Sequence, residues 1–151
     1  MSKRGSRRLP SICVDEHILP SVAQAFRGYL STIEARNDGR FKGRDERSYL
    51  AKLYSENVVF VTSDIEFAEE ARRERLKHAG IIYIPNRMLE DEQVYFAQVA
   101  AAFVKGGCRD SRAAFRGCIL YPGTDGVRLV RPKTESQLAF SWDWLIQVRN
   151  A

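Results

Sequence analysis

Two aspartates stand where a buried strand would end and solvent begin. Asp15 closes the apolar run Ser11-Ile12-Cys13-Val14, and Asp64 follows Val58-Val59-Phe60-Val61 after Thr62 and Ser63. In an open parallel sheet such strand ends form the crevice where ligands bind, so acids placed there carry more chemical weight than acids elsewhere. If the two strands are neighbours, about 4.8 Å apart, the carboxylates come within bridging reach of one divalent cation. Two like charges that close are unfavourable by themselves. A hard cation such as Mg2+ or Mn2+ relieves the repulsion, takes oxygen ligands and can hold a water for attack on a phosphodiester. Either aspartate alone would pass for a turn or cap residue, but two at matching strand ends weaken that account.

Other acids lie close enough in sequence to join them. Glu66 is two residues beyond Asp64, Asp45 precedes a helix that leads into the second strand, and Glu16 is held in reserve. Each has a plainer explanation: an N-cap for Asp45 and a first-turn dipole partner for Glu66. The only histidines, His17 and His78, have no serine or cysteine motif beside them, and the glycines form neither a phosphate-binding nor a dinucleotide-binding loop. A nuclease must also hold a polyanion. Arg36, Arg40, Lys42 and Arg44, in the Gly-containing loop before Asp45, are the candidates, against the plain reading of a solvated loop.

The elements that would position these residues emerge from hydrophobic spacing. Strand 11–14 is followed by apolar residues at helical intervals, Ile18, Val22, Phe26, Tyr29, Leu30 and Ile33, which predict a helix over residues 18–34 with Pro20 in its first turn. A shorter helix carries Leu50, Leu53 and Tyr54. Val58–Val61, continuously apolar and β-branched, predicts a strand covered on both faces. Residues 66–78 read as a helix closed by Gly80, and Ile81–Ile84 as a third strand stopped by Pro85. The alternation argues for a parallel α/β sheet. Residues 90–104 predict another helix ended by Gly106-Gly107, then a β-hairpin spans 115–130 around the turn Pro122-Gly123-Thr124-Asp125-Gly126. Residues 134–151 fit a strand and a helix equally well, which leaves Trp142 and Trp144 as core or interface residues rather than base-stacking ones. Arg72, Arg73, Arg75 and Lys77, interleaved with Glu69, Glu70 and Glu74, read as a solvated face with a Glu69–Arg73 pair.

With 151 residues, 44% hydrophobic and 28% charged, the chain has the size and composition of one ordinary globular domain. Residues 1–10 are expected as a basic disordered tail and 11–151 as one domain, with 11–84 its core and 108–151 a C-terminal elaboration. The net charge of +5 is compatible with an anionic partner. No stretch is apolar enough to span a bilayer, the basic N-terminus lacks a signal-peptide pattern, and Cys13, Cys108 and Cys118 make no metal spacing. A cytoplasmic protein with reduced thiols and no membrane partner is expected.

Three segments together resemble the PIN-like domains, in particular the small bacterial and archaeal group related to toxin–antitoxin ribonucleases: Val14-Asp15-Glu16-His17-Ile18-Leu19-Pro20, Arg44-Asp45-Glu46-Arg47-Ser48-Tyr49-Leu50 and Val61-Thr62-Ser63-Asp64-Ile65-Glu66-Phe67. The resemblance covers residues 11–84 and departs at Glu66, where the family more often has aspartate, and throughout the C-terminus. It implies a three-layer α/β/α domain with a parallel sheet, to which the sequence pattern adds a C-terminal β-hairpin elaboration. It implies Asp15, Asp45, Asp64 and Glu66 as catalytic and metal-binding residues for Mg2+ or Mn2+, with Thr62 or Ser63 as an accessory hydroxyl; Glu16 stays the reserve accessory acid, and Arg40, Lys42 and Arg44 of the basic loop are the candidates for RNA. The activity implied is a metal-dependent endoribonuclease acting on RNA as the toxin of a toxin–antitoxin pair, with a cognate antitoxin protein as partner and a homodimer compatible with it. The competing expectation is a catalytically weak module that binds RNA or a partner protein. A phospho-receiver-like domain ranks last, because Ile84-Pro85-Asn86-Arg87 lacks the lysine it would need.

Overall fold

The structure, a computed structural model, describes residues 9–39, 41, 45–110, 114–132 and 137–150. Seven strands form one sheet: β1 (Ser11–Val14), β2 (Thr32–Glu34), β3 (Val58–Thr62), β4 (Ile81–Tyr83), β5 (Ile119–Pro122), β6 (Gly126–Val130) and β7 (Gln137–Ser141). Their order is β2-β1-β3-β4-β5-β6-β7, with β1 to β5 mutually parallel and β6 and β7 antiparallel. Five helices complete the fold: α1 (Pro20–Arg27), α2 (Glu46–Ser55), α3 (Ile65–Arg73), α4 (Glu90–Asp110) and α5 (Trp142–Asn150).

The central strands alternate between two cores, as a period of two requires when both faces are covered. Ile12, Val14, Val59, Val61, Ile82 and Leu120 join Phe26 of α1 and Phe96 of α4 on one face. Cys13, Val58, Phe60, Ile81, Tyr83 and Ile119 join Leu50 and Leu53 of α2 and Phe67 of α3 on the other. The result is a three-layer α/β/α domain with a mostly parallel sheet, as the alternating sequence pattern requires. All three cysteines are buried. Among the described residues no helix is long and apolar enough to cross a membrane.

Several boundaries differ from the sequence expectation, each for a local reason. The helix expected over 18–34 stops at Arg27, and residues 32–34 become β2. Leu30 and Ile33 keep helical spacing by coincidence, because the chain turns at Gly28 and pairs Thr32–Glu34 with Ile12–Val14. The helix expected to reach His78 stops at Arg73. Arg75 takes a left-handed conformation (φ 53°) while Leu76 N donates to the Ala71 carbonyl, the closing pattern usually built on glycine. Gly80 serves a different purpose: at φ 132° a Cβ there would lie 2.1 Å from the Phe115 ring. Gly106 and Gly107 do not end α4, which runs to Asp110 because Val104 and Cys108 remain buried on its inner face. The undecided C-terminus contains both elements in succession. β7 ends at Ser141, whose Oγ accepts the Trp144 N–H at 3.3 Å and so caps α5.

Candidate active site

Parity along the strands decides which side chains face α2 and α3. Asp15 is two residues past Cys13 and Thr62 two past Phe60, so both project into the same layer as those residues, at the carboxyl ends of adjacent parallel strands. Asp15 extends the ladder, donating its N–H to the Val61 carbonyl at 2.9 Å, and its own Oδ1 accepts the Glu16 N–H at 2.7 Å. The side chain is nonetheless only 5% exposed. Burial holds its pKa above the usual carboxylate range, and the Glu16 N–H offsets part of that.

Thr62 is fully buried and ties the end of β3 to the starts of α2 and α3. Its hydroxyl donates to Glu46 Oε2 at 3.5 Å and accepts the Asp64 N–H at 3.0 Å. Asp64 in turn caps α3, with Oδ1 accepting the Phe67 N–H at 3.1 Å, and stays exposed at the crevice mouth. Cap and crevice roles therefore coexist in one side chain.

The residue that sequence reasoning missed is Glu46. It opens α2, half-buried, and its pKa is pushed up to about 7 by burial first, then by the charges of Asp15, Asp64 and Asp45. Asp15, Asp64 and Asp45 are thus all near enough to Glu46 to act on its charge. The Tyr49 phenol, one turn further along α2, is raised too, by burial and then by Asp15 and Glu46. A signal for Glu46 was present in the spacing. Positions 46, 49, 50 and 53 form one helical stripe, and Tyr49, Leu50 and Leu53 are its buried members. Asp45 lies off that stripe, exposed at the N-cap position, with no cap hydrogen bond from its side chain.

The remaining expected residues take lesser places. Glu66 is exposed in the first turn of α3 and is not among the main charges acting on Asp15 or Glu46. Glu16 is half-buried and adds a like charge to Asp15, while His17 adds an opposite one. Ser63 is half-buried beside Thr62. Arg36 is committed elsewhere, donating to Glu34 and to the Ile18 carbonyl, both at 3.0 Å. Arg40, Lys42 and Arg44, expected on RNA, lie outside the described residues.

Asp15, Glu46 and Asp64 thus lie near the carboxyl ends of β1 and β3, where Thr62 links Glu46 to Asp64, and they offer only oxygen donors. Among the described residues, no three His, Cys, Asp or Glu side chains are gathered into a group that could hold a metal ion. The donor set still fits Mg2+, which keeps several of its waters and is usually held by one or two carboxylates together with substrate phosphates. Set against known proteins, the chain matches no family model, no curated protein and no solved structure.

Proposed function

We propose that the protein is a metal-dependent endoribonuclease of the PIN-like kind, hydrolysing RNA phosphodiesters at the crevice between the ends of β1 and β3. The observation that carries this reading is the buried Asp15 beside Glu46 and Asp64. Burial first, and then the charges of Asp15, Asp64 and Asp45, push the Glu46 carboxyl up to about 7. Acids shifted by burial and by one another mark a functional-site candidate, and a divalent cation would neutralise them. Bound there, Mg2+ or Mn2+ would supply Lewis acidity and an activated water.

The chain's own residues have separable roles in this scheme. Asp15, fixed by the strand ladder and the Glu16 N–H, is the least mobile ligand. Glu46 loses its proton readily once a cation offsets its neighbours, so cation binding and proton release are coupled there. Asp64 is held by Thr62 and the first turn of α3, which aims it into the crevice without a long side chain's freedom. Asp45 and Glu66 sit at the periphery, where they add negative potential. The resemblance of the three sequence segments to toxin–antitoxin ribonucleases supports the same reading, and extends it to a toxin with a cognate antitoxin as partner.

Purified protein should cleave RNA with Mg2+ or Mn2+ and stop when the metal is chelated. Asp64→Asn and Asp15→Asn should both be inactive, and wild-type rates in either variant would sink the site. The second reading, a catalytically weak module, draws on the absence of a group that could hold a metal ion among the described residues. It predicts RNA or partner binding that survives Asp15→Asn and ignores chelators.

A further inference from the structure

At the opposite end of the sheet a half-open groove of about 680 Å³ lies between the end of α3, the 114–117 turn and the residues after β6. Among the described residues six cations line it, Arg72, Arg73, Arg75, Lys77, Arg116 and Arg131, against one carboxylate, Glu69. That carboxylate is already engaged, accepting the Tyr121 hydroxyl at 2.6 Å. The two other glutamates near the end of α3 are taken as well: Arg47 of α2 donates to both Glu70 and Glu74. The Glu69–Arg73 pair expected from spacing is therefore not formed, and among the described residues none of the six cations enters an ion pair.

Two of the six have an ordinary explanation. Arg72 and Arg73 occupy the last turn of α3, where a helix dipole attracts cations. Arg116 and Arg131 do not, since they come from separate elements and still converge on the same groove. The 114–117 turn is fixed in place by Gly117, which donates to the His78 carbonyl at 3.0 Å, and Arg116 lies over the Tyr54 ring at 5.1 Å. Arg75 is the most telling. It closes α3 in a left-handed conformation that glycine would adopt without strain, yet the position carries a guanidinium.

We infer that this groove binds the phosphate backbone of single-stranded RNA, a second site distinct from the acidic crevice. Naming RNA as the occupant rests on the proposed ribonuclease activity; the anion-binding chemistry does not. α3 connects the two sites, with Asp64 at its start and Arg72 and Arg73 at its end, so they are separated by about 14 Å at 1.5 Å per residue. One strand of RNA can span that distance, held at the groove by arginine forks that match phosphate geometry and presented to the crevice at the other end. The groove would supply affinity without reading sequence, because phosphate contacts position a chain and do not identify its bases.

The test is binding of a fluorescent single-stranded RNA of about 12 nucleotides, within the range of single-strand site sizes, to the full chain in chelator, so that no cleavage intervenes. The combined variant Arg72→Gln, Arg75→Gly, Lys77→Gln should bind at least tenfold more weakly, with a log–log salt slope shallower by about 2, at roughly 0.7 per lost phosphate contact. Arg75→Gly alone should weaken binding and leave the melting temperature unchanged or raised, a combination that a purely structural Arg75 would not give. Wild-type affinity and salt slope in the combined variant would overturn the groove, as would inorganic pyrophosphate displacing RNA at equal concentration, which would make a small phosphorylated molecule the occupant. Cleavage separates the two proposals: a wild type that binds RNA through the groove but never cleaves it overturns the ribonuclease and keeps the groove, whereas a combined variant that binds and cleaves like wild type overturns the groove alone.

Discussion

The two ends of the sheet each bury an ionisable group, and they treat it in opposite ways. At the amino end, His78 is 4% exposed and its pKa falls to about 4 through burial. Its Nδ1 accepts the Gly80 N–H at 3.1 Å, so the neutral ring has a structural partner in the backbone. At the carboxyl end, Asp15 and Glu46 are both raised, each by burial first, with the charges of Asp15, Asp64 and Asp45 adding to the shift on Glu46 and the Glu16 N–H offsetting only part of that on Asp15. A buried group that is neutral and paired is a finished piece of structure, whereas a crowd of half-buried acids is stabilised only by something added.

Removing acids from the crevice should have the largest effect. With Mg2+ present, Asp15→Asn or Asp64→Asn should lower RNA cleavage by about a hundredfold or more, the loss of several kcal/mol of charge stabilisation, measured as single-turnover rates. The same substitutions should not reduce thermal stability in chelator, since each relieves repulsion on Glu46. A drop in stability with no change in cleavage would reverse the contrast and make the crevice the structural end.

His78 gives the next largest effect, in stability alone. Its folded pKa lies below the unfolded value of about 6.5, so the stability it contributes is complete above pH 6.5. That stability is lost as pH falls through 6.5 toward 4, because the unfolded chain takes up a proton that the buried ring refuses. Over that window the loss approaches about 3 kcal/mol, from a shift of roughly two and a half units at 1.4 kcal/mol each. His78→Asn, which keeps an acceptor for the Gly80 N–H, should flatten the acid limb of a denaturation series. An unchanged limb would mean that His78 accepts a proton in the folded state and is not a finished element.

The same contrast separates the legible parts of the sequence from the hidden ones. The strands of the parallel core were legible because they are short, β-branched and stopped by polar residues, and their ends therefore marked Asp15 and Asp64. β2 was not, since three edge residues after a helix extend its periodicity by chance. Glu46 was overlooked because its neighbour Asp45 is the better N-cap residue type, and residue type outweighed the helical stripe that places Glu46, and not Asp45, against the sheet. The basic groove was hidden more thoroughly. Intrahelical spacing pairs Glu69 with Arg73, and only the tertiary fold reveals that Tyr121 and Arg47 take the glutamates away.

Glu46→Gln should give the smallest change and the sharpest one. The folded pKa of Glu46, about 7, exceeds its unfolded value of 4.5, so the folded state favours the protonated form. Its contribution to stability is fully present below pH 4.5 and is lost as pH rises through 7, the reverse of His78. In chelator, Glu46→Gln should therefore match wild type near pH 4.5 and exceed it by about 1–2 kcal/mol at pH 8, after allowing for solvent screening at a half-open position. Between pH 4.5 and 6.5 the two groups oppose each other, so Glu46 should blunt the rise of wild-type stability with pH, and Glu46→Gln should expose the full slope of His78. Adding Mg2+ at pH 8 should raise the melting temperature of wild type more than that of Glu46→Gln, because only the carboxylate repels its neighbours until a cation is bound. Equal Mg2+ shifts in both proteins would show that the cation, if it binds, is held without Glu46.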